Sequence, residues 1–177
     1  MTVLPPAEAH RPDIELTIQR RFEQVVAQDP GRLAVSTAAE KLSYGQLNQL
    51  ANRIAHAILP LRTSSRRPVA IFMEQGAPAI LASLASLKAG SFFVHLEPSN
   101  PVSRNAYILE NSQADLVLTN GANAEAARRA ALNAIPVLDV DTAARTGKVD
   151  RGSLPLGSAG GIALAHGSGV ERERGEL

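Results

Sequence analysis

Apolar and polar positions along the chain keep a helical period at first and then switch to alternating short runs. Thr17 stands at a helix N-cap position, and Ile18, Phe22, Val25 and Val26 follow at helical spacing, which predicts an amphipathic helix over 18–28. Asp29-Pro30-Gly31 ends it. Leu33 to Thr37 reads as a short strand, with a turn before Lys41-Leu42. Ser43 and Gln46 have the spacing of a capping box, in which the hydroxyl accepts from a first-turn amide and the glutamine reaches back. Leu47, Leu50, Ala51, Ile54 and Ile58 then mark one apolar helix face, and Pro60 stops that helix.

Beyond a polar connection at 61–67 the pattern changes. Pro68 to Phe72 is a short apolar run of the buried-strand kind. Gly76 and Pro78 punctuate the chain, and Ile80, Leu81, Leu84 and Leu87 predict a helix closing at Lys88-Ala89-Gly90. Ser91 to Leu96 is a second strand of the series. Ser103 is placed to cap a helix carrying Tyr107, Ile108 and Leu109. Asp115 to Thr119 is a third strand, Ala122 to Leu132 an Ala-rich helix, and Ile135 to Asp139 a fourth strand. Strands alternating with helices of this length predict an α/β fold, a Rossmann-like parallel sheet with flanking helices over about 68–140. The two earlier helices are expected to pack on it. No internal repeat of fixed period is visible.

Three segments follow from this reading. Residues 1–12, with three prolines and no long apolar stretch, form a flexible arm, and 13–141 form the folded unit. Residues 142–177, rich in Gly, Ser, Ala and charge, are expected to be poorly ordered.

Composition narrows the classes. The 177 residues are 45% hydrophobic, enough for a globular core, but only 3% aromatic, so that core rests on Leu, Ile, Val and Ala. A formal net charge of +1 and scattered basic residues give no field or stripe for nucleic acid. The absence of Cys excludes disulfides, thiolate metal sites and Cys nucleophiles, and fits a cytoplasmic location. No apolar run has the length of a membrane span.

Candidate chemistry is sparse. Gly157-Ser-Ala-Gly-Gly161 suggests a phosphate cradle in composition, but no Lys follows it and no clear strand–turn–helix surrounds it, so a flexible tail is the better reading. A Rossmann dinucleotide fingerprint is missing too. His10, His56, His95 and His166 are never three or four residues apart, which leaves a metal site without a local ligand pair. His56 is expected to be partly exposed. His95, in a strand, has two readings, a ligand-facing group or a hydrogen-bonded core neighbour. No Gly-x-Ser-x-Gly elbow supports a hydrolase triad. Tyr44 reads as a packing residue. We assign no catalytic, cofactor-binding or metal-binding residue from the sequence.

Two blocks carry a family resemblance. Leu42-Ser43-Tyr44, continued by Leu47 and Ala51-Asn52-Arg53, is the first. Leu87-Lys88-Ala89-Gly90, then Phe92-Phe93-Val94 and Glu97-Pro98, is the second. Pro101, Tyr107 to Glu110 and Leu116 to Thr119 follow in order, and Phe22-Glu23-x-x-Val26 precedes Asp29-Pro30. Over roughly 17–140 the chain resembles the N-terminal subdomain of adenylate-forming ligases (AMP-dependent synthetases), most of all the amino-acid adenylation domains of nonribosomal peptide synthetases. His95 stands where that family commonly has Pro, and Glu97 where it has Asp.

The resemblance implies a parent enzyme that uses ATP and Mg²⁺ to convert an amino or other carboxylic acid to an acyl-adenylate, then passes the acyl group to a carrier thiol. It also implies a Ser/Thr/Gly-rich phosphate loop followed by Lys. The lysines here are Lys41, Lys88 and Lys148, and none follows a glycine cluster. A reading frame lost around 142–157 would explain both that and the change in composition. We therefore expect an incomplete, inactive N-terminal fragment that binds no cofactor by itself, with Lys88 and Glu97 as structural polar ends. Synthetase modules or a carrier protein are the implied partners. A truncated face would promote self-association; neither nucleic acid nor membrane is expected. Alternative readings are a non-catalytic interaction module derived from such a domain and, last, an unrelated α/β nucleotide binder.

Overall fold

The computed structural model describes residues 17–38, 40–64 and 66–146. Helix α1 (Ile18–Gln28) is followed by an antiparallel hairpin of β1 (Leu33–Ser36) and β2 (Lys41–Ser43). Helix α2 (Tyr44–Ile58) ends where Pro60 forbids another helical bond, and one 3-10 turn at Leu59–Leu61 follows. Strands and helices then alternate: β3 (Val69–Phe72), α3 (Ala77–Lys88), β4 (Phe93–Leu96), α4 (Val102–Ser112), β5 (Leu116–Thr119), α5 (Ala124–Ala130), β6 (Val137–Asp139) and α6 (Val140–Thr146).

The last four strands form one parallel sheet in the order β4-β3-β5-β6. All four residues of β3 and of β5 are buried, because both strands are interior and both faces are covered. Alternation decides which layer each residue meets. Val69, Ile71, Leu116 and Leu118 pack with Leu47, Ile54 and Ile58 of α2 and Leu81 and Leu84 of α3. Ala70, Phe72 and Val117 point the other way, onto Leu109 of α4 and Ala127 and Ala130 of α5. This is the Rossmann-like α/β architecture expected from the alternating runs.

Local chemistry fixes the element ends. The capping box forms: Gln46 N donates to Ser43 Oγ at 3.2 Å and Ser43 N to Gln46 Oε1 at 2.9 Å. Gly45 lies against the preceding turn, and a Cβ there would stand 3.0 Å from the Pro30 carbonyl oxygen. Helix α3 closes in a Schellman motif, with Gly90 N donating to Leu87 O at 3.0 Å and Ser91 N to Ser86 O at 2.9 Å. The motif needs a left-handed residue, and Gly90 supplies it at φ 71°. Buried Asp115, just before β5, accepts three bonds at Oδ2, from Thr63 N, Thr63 Oγ1 and Ser64 N, and so ties down the polar connection into β3. Lys88 Nζ pairs with Glu23 of α1.

Several expectations are corrected. The segment Lys41–Ser43 is a strand rather than the exit of a turn, paired to β1 across an irregular register. Pro101 occupies the N-cap of α4, and Ser103 lies inside the helix without a capping bond. Ile80, placed on the apolar face of α3, is 48% exposed. Helix α6 runs across the boundary expected at Asp141. The arm at 1–12 and the segment 147–177 lie outside the described residues. No helix among the described residues is long and apolar enough to cross a membrane.

Two substitutions test the weights of these features by urea unfolding. Leu118→Ala, at a site with no exposed surface, should cost about 2–5 kcal/mol through lost contacts and a cavity. Ser43→Ala should cost about 1 kcal/mol, the worth of one cap. Both should move the midpoint and leave the m-value unchanged.

Candidate functional site

The chain order of the sheet creates one crevice. From β3 the chain moves outward to β4 through α3, on one face. It then returns past β3 to β5 through α4, on the other face, and continues to β6 through α5. The loops leaving β3 and β5 therefore diverge. In open α/β sheets this gap at the strands' carboxyl ends is where ligands sit.

The crevice is built from short polar groups on those loops. Thr119 Oγ1 donates to Phe72 O at 3.0 Å and locks the ends of β3 and β5 together. Asn123, at the foot of α5, donates from Nδ2 to Glu74 Oε2 and to Asn120 Oδ1, each at 2.8 Å. Glu74 is thereby held below the usual carboxylate range, first by a backbone amide and then by Asn123; partial burial opposes this and Asn120 adds to it. At the end of β6, Asp139 Oδ1 accepts from Asp141 N at 2.9 Å and Oδ2 from Thr142 Oγ1 at 3.1 Å, which caps α6. Asp141 Oδ2 accepts from Gly121 N at 3.1 Å and joins α6 to the loop after β5. Beside these groups lies an apolar recess of about 170 Å³, floored by Leu42, Leu50, Leu81 and Val140 and rimmed by Glu40 and Arg145.

The donor set does not suit a triphosphate. Glu74, Asp139 and Asp141 put three carboxylates at the ends of β3 and β6, where phosphates would be repelled. Lys88 is at the far end of α3, paired with Glu23, and Lys41 is in the hairpin. Lys148 lies outside the described residues. No three His, Asp or Glu side chains among the described residues converge to hold a metal ion.

The residues singled out in the sequence are placed as follows. Tyr44 packs, with its ring 5.6 Å from that of Phe22 and the Arg32 guanidinium 5.0 Å from its centroid. His95 lies on β4 facing α3: its Nε2 is 3.3 Å from Ser83 Oγ and its ring stands edge-on to Phe93. It is hydrogen-bonded, as one reading held, but exposed rather than in the core. His56 is exposed on α2; His10 and His166 lie outside the described residues. Glu97 engages through its carbonyl, which accepts from Asn105 Nδ2 at 3.0 Å. The cluster of Glu74, Asn120, Asn123, Asp139 and Asp141 was not singled out by sequence reasoning. Its signal was present, since acids stand at or within two residues of the ends of two predicted strands, but only strand order makes them neighbours.

Comparison with known proteins agrees with this architecture. A family model described as "AMP-binding enzyme" matches residues 22–160, past Asp141 and into the Gly- and Ser-rich segment. Surfactin synthase subunit 1 of Bacillus subtilis (strain 168) is 32% identical over 154 residues, which is 87% of this chain and 4% of that protein. Phosphinothricin tripeptide synthetase PhsC of Streptomyces viridochromogenes is 35% identical over 144 residues, 79% of this chain and 13% of that protein. Bacitracin synthase 3 of Bacillus licheniformis is 37% identical over 105 residues, 59% of this chain and 2% of that protein. The chain thus spans at most 13% of the length of these relatives. Among solved structures, the nonribosomal peptide synthetase FmoA3 with bound alpha-methyl-L-serine-AMP superposes with a TM-score of 0.67 at 25% identity, over 81% of this chain and 16% of that one. IdnL7 superposes with a TM-score of 0.62 at 27% identity, over 78% of this chain and 26% of that one. The chain belongs to the AMP-binding enzyme family.

Proposed function

We propose that these residues are the opening part of an amino-acid adenylation domain of a nonribosomal peptide synthetase. The family match over 22–160, shared with synthetases that make peptides, carries this reading. The whole domain would join a carboxylic acid to AMP from ATP with Mg²⁺, and hand the acyl group to a carrier-protein thiol. The contribution of this chain is architectural. It sets the sheet, closes α3 on Gly90 and joins the strand ends through Thr119, so that groups supplied elsewhere meet a rigid edge.

The 177 residues do not adenylate by themselves in this reading. A phosphate-binding lysine after a glycine cluster is missing from the sequence, and the strand-end crevice is acidic. Stabilising charge on a transferring phosphoryl group requires cations at the reacting centre. Amino-acid-dependent exchange of pyrophosphate into ATP by the purified chain should stay at background across the proteinogenic amino acids. Exchange above background that depends on one amino acid would overturn the proposal.

A second, compatible role is as a docking module for other synthetase parts, which would cover apolar side chains on both faces of the sheet. Ile80, Phe92, Tyr107 and Leu132 are 48%, 53%, 66% and 74% exposed. Mixed with the remainder of a related synthetase, the chain should form a complex of fixed stoichiometry by sedimentation velocity. Polydisperse self-association with no discrete complex would remove this role.

A further inference from the structure

We propose that α1 is a strap that opens and closes over the Lys88 side chain as a unit, while the sheet stays folded. This does not depend on the adenylation reading.

Helix α1 is the most weakly held element of its layer. None of its residues is buried, and Ile18 is 69% exposed. Among the described residues, Phe22 is the α1 side chain that packs against the core, and its ring also meets that of Tyr44. The ion pair of Glu23 with Lys88 is the cross-link that holds the helix to α3.

The two partners of that pair are buried very unequally. Glu23 keeps 53% of its side-chain exposure, whereas Lys88 keeps 5% and lies 6.0 Å from the Phe22 ring centroid. Lys88 is thus covered by α1, and Glu23 and Phe22 are the groups that meet its ammonium. Most of what the lysine loses when α1 lifts is one carboxylate and one ring face, and water replaces both. Because water takes the place of both contacts, opening α1 costs less than opening the fully buried β3 and β5.

A hinge is in place. Downstream of α1 the chain is anchored independently, by Gly45 N to Pro30 O and Tyr44 N to Arg32 O, both at 2.9 Å. Motion of α1 therefore ends at Asp29-Pro30 and leaves the backbone bonds that hold the hairpin to the start of α2 in place. Opening presents the Lys88 amine and the aromatic face of Tyr44, both within the motifs that mark the family.

The test uses the full chain and its own lysines. Trace acetylation with acetic anhydride, read by peptide mass spectrometry, compares Lys88 with Lys41, which is exposed in the hairpin. Lys88 should react about tenfold or more slowly than Lys41, yet far faster than global unfolding allows, and α1 amides should exchange about 100-fold faster than those of β3 and β5. Phe22→Ala, which leaves every charge in place, should speed Lys88 labelling about tenfold. Glu23→Gln should act in the same direction, with β5 exchange unchanged in both variants. Lys88 labelling at the rate set by global unfolding would overturn the strap, because α1 would then open only with the sheet. Labelling as fast as that of Lys41 would overturn it too, because α1 would not cover the lysine.

Discussion

Two adjacent strands without a solvent face set the terms for everything else. Val69 to Phe72 and Leu116 to Thr119 are buried throughout and paired in parallel. A parallel pair cannot be joined by a tight turn, so the connections must be long, and long connections here are helices. Because each strand has two apolar faces, the helices must form two layers, and the return from β4 past β3 is what sends α4 and α5 to the second layer. The crevice at the strand ends is a by-product of the same reversal.

How much of this was legible in the sequence depended on the range of the interactions involved. Helix α1 was recovered residue for residue, because its spacing and its Asp-Pro-Gly stop are local. The Ser43–Gln46 cap is equally local and was read correctly. Strand β2 was missed, since three residues carry no measurable period and its pairing shifts register against β1. Ser103 was misplaced as a cap because its side chain is a good acceptor anywhere near a helix start. The backbone instead enters the helix at Pro101, whose fixed φ already suits that entry. The exposure of Ile80 follows from α3 being apolar nearly all round, so that periodicity could not say which side would face water.

The candidate site was harder to read for a different reason. Glu74, Asn123 and Asp141 are far apart in sequence and become neighbours through strand order, which periodicity does not encode. The motifs that identify the family turn out to be fold determinants in the structure. Leu87-Lys88-Ala89-Gly90 is a helix terminator, Leu42-Ser43-Tyr44 a helix initiator, and Thr119 a clasp between strands. Geometry alone gives each of them a role in this chain.

The pairing of β3 with β5 also has a consequence for synthesis of the chain. Phe72 and Thr119 are 47 residues apart, while β4 lies much nearer along the chain. During translation β3 can pair with β4 well before its other flank has been made. For the time it takes to add those residues, a strand destined to be interior is an unprotected edge. The order in which the segments leave the ribosome therefore places the greatest exposure of the nascent chain at its most apolar strand, and makes the arrival of Leu116 to Thr119 the event that ends it.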